Sequence, residues 1–275
     1  MKTIIYMFLN RMFGKKKYHR FFLILKNIGL EGLNYKSTEI STSGEQYFIS
    51  TLARFYSSVP EKIIIFDVGA NIGNYSKALK KSFTGNYHIF AFEPFSTPFE
   101  KLLLLKDEKM SPVTCGLSNK NEILNIHSSD EFSEIGGVYN RNYVFSDNPH
   151  DKIEACQFVT ISAFCRKNKI DKIHFLKIDV EGHELAVIEG AGELIDHGNL
   201  DFIQFEFGSG NLFSKTCVMD FHNLLNKKYR IFRLLKDGIM EMEKYSADYE
   251  MFILNNFICI KRELADDYLK KQALN

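Results

Sequence analysis

The stretch "LKIDVEGHE" (176–184) places Asp179, Glu181, His183 and Glu184 within six positions, directly after the apolar run "KIHFL". A carboxylate or a neutral imidazole at the end of a buried strand can take the proton from a reacting hydroxyl, and His183 has the ordinary pKa nearest neutrality. Asp179 and Glu181 share a side if the chain stays extended, and Lys177 shares that side with Asp179, which makes it a candidate substrate contact. Three accounts of the chemistry stay open: His183 as general base, Asp179 or Glu181 as general base, or catalysis through positioning of the reactants alone. Glu206, near the end of "IQFEF", would reach the same cleft from a neighbouring strand, to orient an acceptor or to join Asp179 on a divalent cation. Two carboxylates lack a clear third ligand, so no metal is expected. Glu184 reads as helix-start electrostatics.

A second constellation lies upstream. "FDVGANIGNYS" (66–76) reads as strand, tight turn and helix start, with Gly69 and Gly73 around Ala70, Asn71 and Ile72. Glycine permits positive φ and close approach of backbone to a ligand, and free N–H groups at a helix start suit an anionic group. A dinucleotide fingerprint G-x-G-x-x-G counted from Gly69 fails at Asn71 and Asn74. Asp67, just before the turn, would repel a pyrophosphate but attract an ammonium or a sulfonium. S-adenosyl-L-methionine carries both cations. Glu93 follows Gly69 by 24 residues at the end of the next apolar run, where a carboxylate can accept both ribose hydroxyls of an adenosine. Leu117 and Ser118 would then supply the apolar wall and the hydrogen-bonding edge of an adenine site.

The elements that must carry these groups are legible as alternation. Strands are expected at 62–68, 87–93, 112–117, 122–128, 173–179, 200–207, 229–236 and 250–262. Helices are expected in "GANIGNYSKALKKSF", in "STPFEKLLLLKDEK" with Ser96 or Thr97 as cap and Pro98 in the first turn, in "HELAVIEGAGELI" and around "CVMDFHNLLNKK". Together they imply right-handed βαβ units and an α/β fold with a doubly wound, mostly parallel sheet. "DGIMEMEKYSADY" is too turn-like for a crossover helix, so an antiparallel strand is expected near the end of the sheet. A polar stretch from 129 to 154 exceeds an ordinary connection, and acceptor specificity is placed in its part 132–145.

Composition bounds the rest. The 275 residues are 45% hydrophobic and 25% charged with a formal net charge of +1, which suits a globular protein and offers no broad basic face for nucleic acid. Cysteines at 115, 156, 165, 217 and 259 are widely spaced and read as reduced thiols. No apolar run approaches the roughly 20 residues of a membrane span, and no cleavage site follows "TIIYMFL", so a cytoplasmic location is expected. Residues 1–30 hold Lys2, Arg11, Lys15, Lys16, Lys17, Arg20 and Lys26 but no acid, interleaved with Phe8, Phe13, Phe21, Phe22 and Leu23. This segment would either pack on the body as an amphipathic helix or rest peripherally on the inner face of an anionic membrane. A basic helical extension is expected over 1–55 and the main domain over 56–275; the sequence sets no oligomeric state.

With "FDVGANIGNYS", "FAFEP", "LKIDVEGHELAVIEGA" and "IQFEF" in this order, the chain resembles the FkbM family of S-adenosylmethionine-dependent methyltransferases, clearly from about 63 to 207. "LNYKSTEISTSGEQYFI" (33–49) resembles the segment that precedes the fold in that family. The resemblance implies a Rossmann-like class I methyltransferase fold, S-adenosyl-L-methionine as donor, and methyl transfer to a hydroxyl of a sugar, glycoconjugate or related small molecule. It matches Asp67, Gly69, Ala70, Asn71, Gly73 and Asn74 to the cofactor loop, Glu93 to the ribose acid, and Asp179, Glu181 and Gly182 to the acidic motif, with Asp179 also counted as a cofactor contact. One departure is "FVTISAF", where the family usually shows Thr-Leu-Asp and this chain has Ser162; both residue types cap helices. The competing readings are an NAD-type dinucleotide-binding oxidoreductase and a non-catalytic nucleotide-binding scaffold.

Overall fold

The computed structural model describes residues 6, 9–128, 136–139 and 152–273. The expected acceptor loop at 132–145 lies outside the described residues except for 136–139. In chain order, α1 (His19–Gly32), α2 (Ile40–Ser43) and α3 (Glu45–Tyr56) precede β1 (Ile63–Val68), α4 (Asn74–Ser82), β2 (Tyr87–Phe92), α5 (Ser96–Leu103), β3 (Met110–Val113), β4 (Gly116–Leu117) and β5 (Glu122–Ser128). Then follow β6 (Lys152–Val159), α6 (Ile161–Asn168), β7 (Ile173–Ile178), α7 (Glu184–Glu189), α8 (Gly192–Asp196), β8 (Leu200–Phe207), α9 (Gly210–Ser214), α10 (Val218–Leu225), β9 (Tyr229–Leu235), β10 (Gly238–Glu241), β11 (Asn255–Lys261) and α11 (Arg262–Ala273).

Eight strands form one sheet in the order β10-β9-β11-β8-β7-β1-β2-β3. β8, β7, β1, β2 and β3 run parallel, whereas β11 is antiparallel to both β8 and β9. Strand order reverses between β1 and β7, and in such sheets the ligand crevice opens beyond the carboxyl ends at that point. The expected strand at 112–117 divides. Met110–Val113 pairs with β2, and Gly116–Leu117 leaves for a second sheet of order β4-β6-β5. Pro112, which has no N–H to donate, is tolerated because β3 is the edge of the main sheet.

The helix expected from "HELAVIEGAGELI" also divides, at Gly190, where a Cβ would come within 2.1 Å of the Ser118 carbonyl oxygen. Neither Ser96 nor Thr97 caps α5. The capping position is Phe95, and the Ser96 amide and hydroxyl turn to the Glu154 carboxylate instead. Thr160 caps α6 by accepting the Ala163 amide at 3.0 Å, while Ser162 lies inside that helix and donates to the Gly190 carbonyl at 3.1 Å.

Two apolar layers sandwich the sheet. Phe66, Leu176 and Ile203 face Cys165 of α6, Val187 of α7 and Phe221 of α10, and Ile65, Phe175 and Phe202 face Phe48 and Leu52 of α3 and Tyr268 of α11. Thr51 and Tyr268 add a hydroxyl contact at 2.8 Å. Each fully buried Phe or Leu contributes about 1.5–3 kcal/mol, so α3 belongs to the body although the expected extension reached residue 55. The segment that stands apart ends earlier, at α1, where only Leu30 is buried. Asn34 then ties the chain to β9 by donating to the Ser43 and Leu234 carbonyls, and the Arg233 guanidinium lies 4.0 Å from the Tyr35 ring centroid.

Candidate active site

Parallel register lines up polar residues across the middle of the sheet. Asp67 of β1 lies beside Lys177 of β7, and Lys177 beside Gln204 of β8. Registered neighbours point to one face, here the face that α3 covers, and Glu45 at the start of α3 completes the row. The Gln204 amide donates to Glu45 Oε1 at 2.7 Å and to Asn256 Oδ1 at 3.0 Å, and the Tyr75 hydroxyl donates to Gln204 Oε1 at 2.7 Å. Lys177 Nζ sits 4.8 Å from the Tyr75 ring centroid and donates to Asp179 Oδ2 at 2.8 Å.

This buried ammonium is the charge about which the acids are arranged. Burial opposes its protonation, but Asp179, Glu45 and Asp67 outweigh burial and hold Lys177 above its ordinary range. Burial raises the Glu45 and Asp67 carboxyls, with Lys177 pulling both back. Glu206 is raised furthest, well above a normal carboxylate, by burial and then by Asp179 and Glu181. Asp179 is partly exposed, with 34% of its side chain open. Lys177, Asp179 and Glu206 therefore converge at the carboxyl ends of β7 and β8 as the spacing predicts, whereas Glu181 reaches them through a turn and not through the extended chain on which its expected side depended.

The turn after β1 has positive φ at Gly69 (79°), Asn71 (47°) and Gly73 (84°). A Cβ on Gly69 would come within 1.8 Å of the Asp179 carbonyl oxygen, and one on Gly73 within 2.4 Å of Leu105 Cδ1. The close approach these glycines permit is to the protein's own chain, which seats the turn directly on the acidic motif. Ala70 is buried and Asn74 is exposed at the start of α4. Asp67 accepts the Ser76 hydroxyl on Oδ2 at 2.6 Å, and its Oδ1 is buried with no partner among the described residues.

Glu93 is buried and accepts the Asn71 amide on Oε2 and the Phe95 amide on Oε1, both at 2.9 Å. Burial pushes it up to about 7 against those two hydrogen bonds. Each carboxylate oxygen keeps a further lone pair for a hydroxyl donor. Leu117 and Ser118, expected as an adenine wall and edge, are both buried. Leu117 is 1% exposed within the core, and the fully buried Ser118 hydroxyl is taken up by His183.

His183 bridges two hydroxyls. Its Nε2 is 2.9 Å from Ser118 Oγ and its Nδ1 is 3.2 Å from Tyr139 Oη, and burial lowers it to about 4. The imidazole is neutral at pH 7 and both nitrogens are engaged. Glu184 is not a surface helix-start charge. It is 1% exposed, accepts the Val180 and Gly182 amides on Oε1 at 3.1 and 3.0 Å, and is pushed by burial up to about 7. It thereby clamps the turn in which Glu181 has φ 59° and Gly182 φ 107°.

Sequence reasoning missed Glu45, Tyr75, Gln204 and Tyr139. A signal existed for Gln204, which shares its strand face with Glu206 in "LDFIQFEF". Two concavities of about 370 Å³ open at the opposite, amino-terminal edge of the sheet, and neither is lined by a residue of the glycine turn or of the acidic motif. Among the described residues no group of three or more His, Cys, Asp and Glu could hold a metal. S-adenosyl-L-methionine fits the residues present: Asp67 Oδ1 is an unpartnered buried acceptor, Glu93 has spare lone pairs, and the turn from 67 to 74 holds no base to suit a pyrophosphate.

A doubly wound sheet with one antiparallel strand inserted beside its last parallel one, a glycine turn after β1 and an acid after β2 define the Rossmann-like class I methyltransferase fold. The chain belongs to the FkbM methyltransferase family, whose "Methyltransferase FkbM domain" matches residues 67–232. Hexuronic acid methyltransferase AglP of Haloferax volcanii is 24% identical over 173 residues, which span 60% of this chain and 64% of that protein. Among solved structures, an O-methyltransferase from Bacillus cereus in complex with SAH superposes with a TM-score of 0.42 at 8% identity, covering 94% of this chain and 97% of that one. Precorrin-6y C5,15-methyltransferase from Geobacter metallireducens gives 0.38 at 10% identity over 82% and 95% of the two chains.

Proposed function

We propose that the chain methylates a hydroxyl of a sugar, glycoconjugate or related small molecule, with S-adenosyl-L-methionine as donor. The observation that carries this reading is the row Asp67, Lys177 and Asp179 at the point where strand order reverses, directly beneath the glycine turn. When bound, S-adenosyl-L-methionine supplies an electrophilic methyl group on a sulfonium. Asp67 through Oδ1 and Glu93 through its free lone pairs would hold its ammonium and ribose groups.

Asp179 is the residue for the acceptor proton. Its side chain is partly exposed and Lys177 fixes one of its oxygens, so it can accept a hydroxyl hydrogen bond and then the proton. Glu206, its carboxyl raised by burial and by the neighbouring Asp179 and Glu181, stands beside this carboxylate and can orient the acceptor through a hydrogen bond. His183, neutral and held between two hydroxyls, positions the Tyr139 segment rather than acting as base. The sugar acceptor is supported by the name of the weakly similar archaeal relative.

Titration calorimetry with S-adenosyl-L-methionine and with NAD, followed by mass spectrometry of isotopically methyl-tagged products from cell extract, tests the reading. Asp179→Asn should lower kcat by about 10²–10⁴-fold, whereas His183→Gln should stay within about tenfold at saturating substrate. Binding of NAD without S-adenosyl-L-methionine would restore the oxidoreductase reading. Donor binding with no methylated product in any extract would leave a scaffold.

A further inference from the structure

We propose that α1 is a docking helix for an anionic lipid bilayer. Phe21, Ile24, Leu25 and Ile28 recur at i, i+3, i+4 and i+7, the spacing of one helix face, and they are 41%, 59%, 41% and 60% exposed. Leu30, the one buried residue of the helix, lies on the opposite side at 100° per residue. The helix thus meets the body through Leu30 near its carboxyl end and turns an apolar stripe to solvent, with Leu23 on its back also 43% exposed.

Charge selects the occupant. From residue 9 to the end of α1 at Gly32 the chain carries Arg11, Lys15, Lys16, Lys17, Arg20 and Lys26 against a single acid, Glu31 in the last turn. An apolar stripe on a cation-rich segment is complementary to acyl chains beneath anionic headgroups, and each cation near such a surface strengthens binding about fivefold. The face of a second copy would bring the same cations into opposition. Phe13 and Phe22, with ring centroids 5.5 Å apart, fold the preceding lysine-bearing turn back against α1.

The attachment also fixes where the bilayer would lie. Arg233 of β9 donates to the Leu33 carbonyl at 2.8 Å, two residues from the carboxyl end of that strand, and the chain then runs along the same rim to Glu45 beside Lys177. α1 therefore hangs from the end of the sheet that bears the candidate site. On the proposed reading of that site, an acceptor carried on a lipid would be presented to it.

The test is co-sedimentation of the full chain with phosphatidylcholine vesicles with and without phosphatidylglycerol, for wild type and Ile24→Glu/Ile28→Glu. Binding that requires phosphatidylglycerol, weakens with added salt and falls at least about tenfold in the variant supports docking. No binding to phosphatidylglycerol vesicles, or equal binding by the variant, overturns it. A wild-type dimer in light scattering that the variant converts to monomer, without vesicle binding, assigns the stripe to a second copy and also overturns it. Unchanged melting temperature and calorimetric donor affinity in the variant exclude misfolding. Failure of donor binding in both proteins would sink the methyltransferase reading while leaving the vesicle result interpretable.

Discussion

Lys177 is a buried cation that three carboxylates share, so its removal acts on all of them. Lys177→Met keeps the stem over Tyr75 but leaves Glu45, Asp67 and Asp179 uncompensated, and thermal or urea unfolding should show a loss of about 3–5 kcal/mol. His183 makes a separate, pH-dependent contribution. Its folded pKa of about 4 lies below the 6.5 of the unfolded chain, so its stability is fully present above about 6.5 and is lost as pH falls through about 4. Melting curves from pH 7 to pH 4.5 should therefore fall less steeply for His183→Gln than for wild type. At this scale the sequence exposed what lies close along the chain. Asp179 and Glu206 were legible from strand-end spacing, and Asp67 and Glu93 from the glycine turn, but the positive φ of Glu181 was not. Glu45 stands 132 positions before Lys177, and no local pattern links the two; only the packing of α3 on the sheet brings them together.

The turn after β1 and the turn after β7 work as one unit. Gly69 packs on the Asp179 carbonyl, Glu184 holds the Val180 and Gly182 amides, and a Cβ on Gly182 would meet the Gly210 carbonyl at 2.6 Å. Gly69→Ala would combine a positive φ with a backbone clash, which should cost at least about 2 kcal/mol and weaken donor binding measured by calorimetry. Elements with strong periodicity, such as β8 at 200–207, match their expected bounds. Those that departed did so for tertiary reasons. Gly190 ends α7 because Ser118 needs the space, and the strand at 112–117 splits because β4 finds its partner in β6, 36 residues downstream of Gly116. Ser96 loses its cap role to a contact with Glu154 from β6, which no local rule foresees.

For the molecule as a whole, the main domain begins within the segment read as an extension. Phe48, Ile49 and Leu52 are fully buried, so truncation at residue 56 should leave an insoluble or unfolded product. Among the described residues none before Leu30 is buried, so removal of residues 1–29 should move the melting temperature by no more than about 2 °C in differential scanning calorimetry. The placement of β11 also governs how the molecule comes into being. Residues 255–261 insert between β8 and β9, so during synthesis those two strands wait with facing edges unpaired, separated by a gap about 10 Å wide. The sheet closes only after residue 261 has left the ribosome, and until then the nascent protein presents the open strands that chaperones recognise and aggregates recruit.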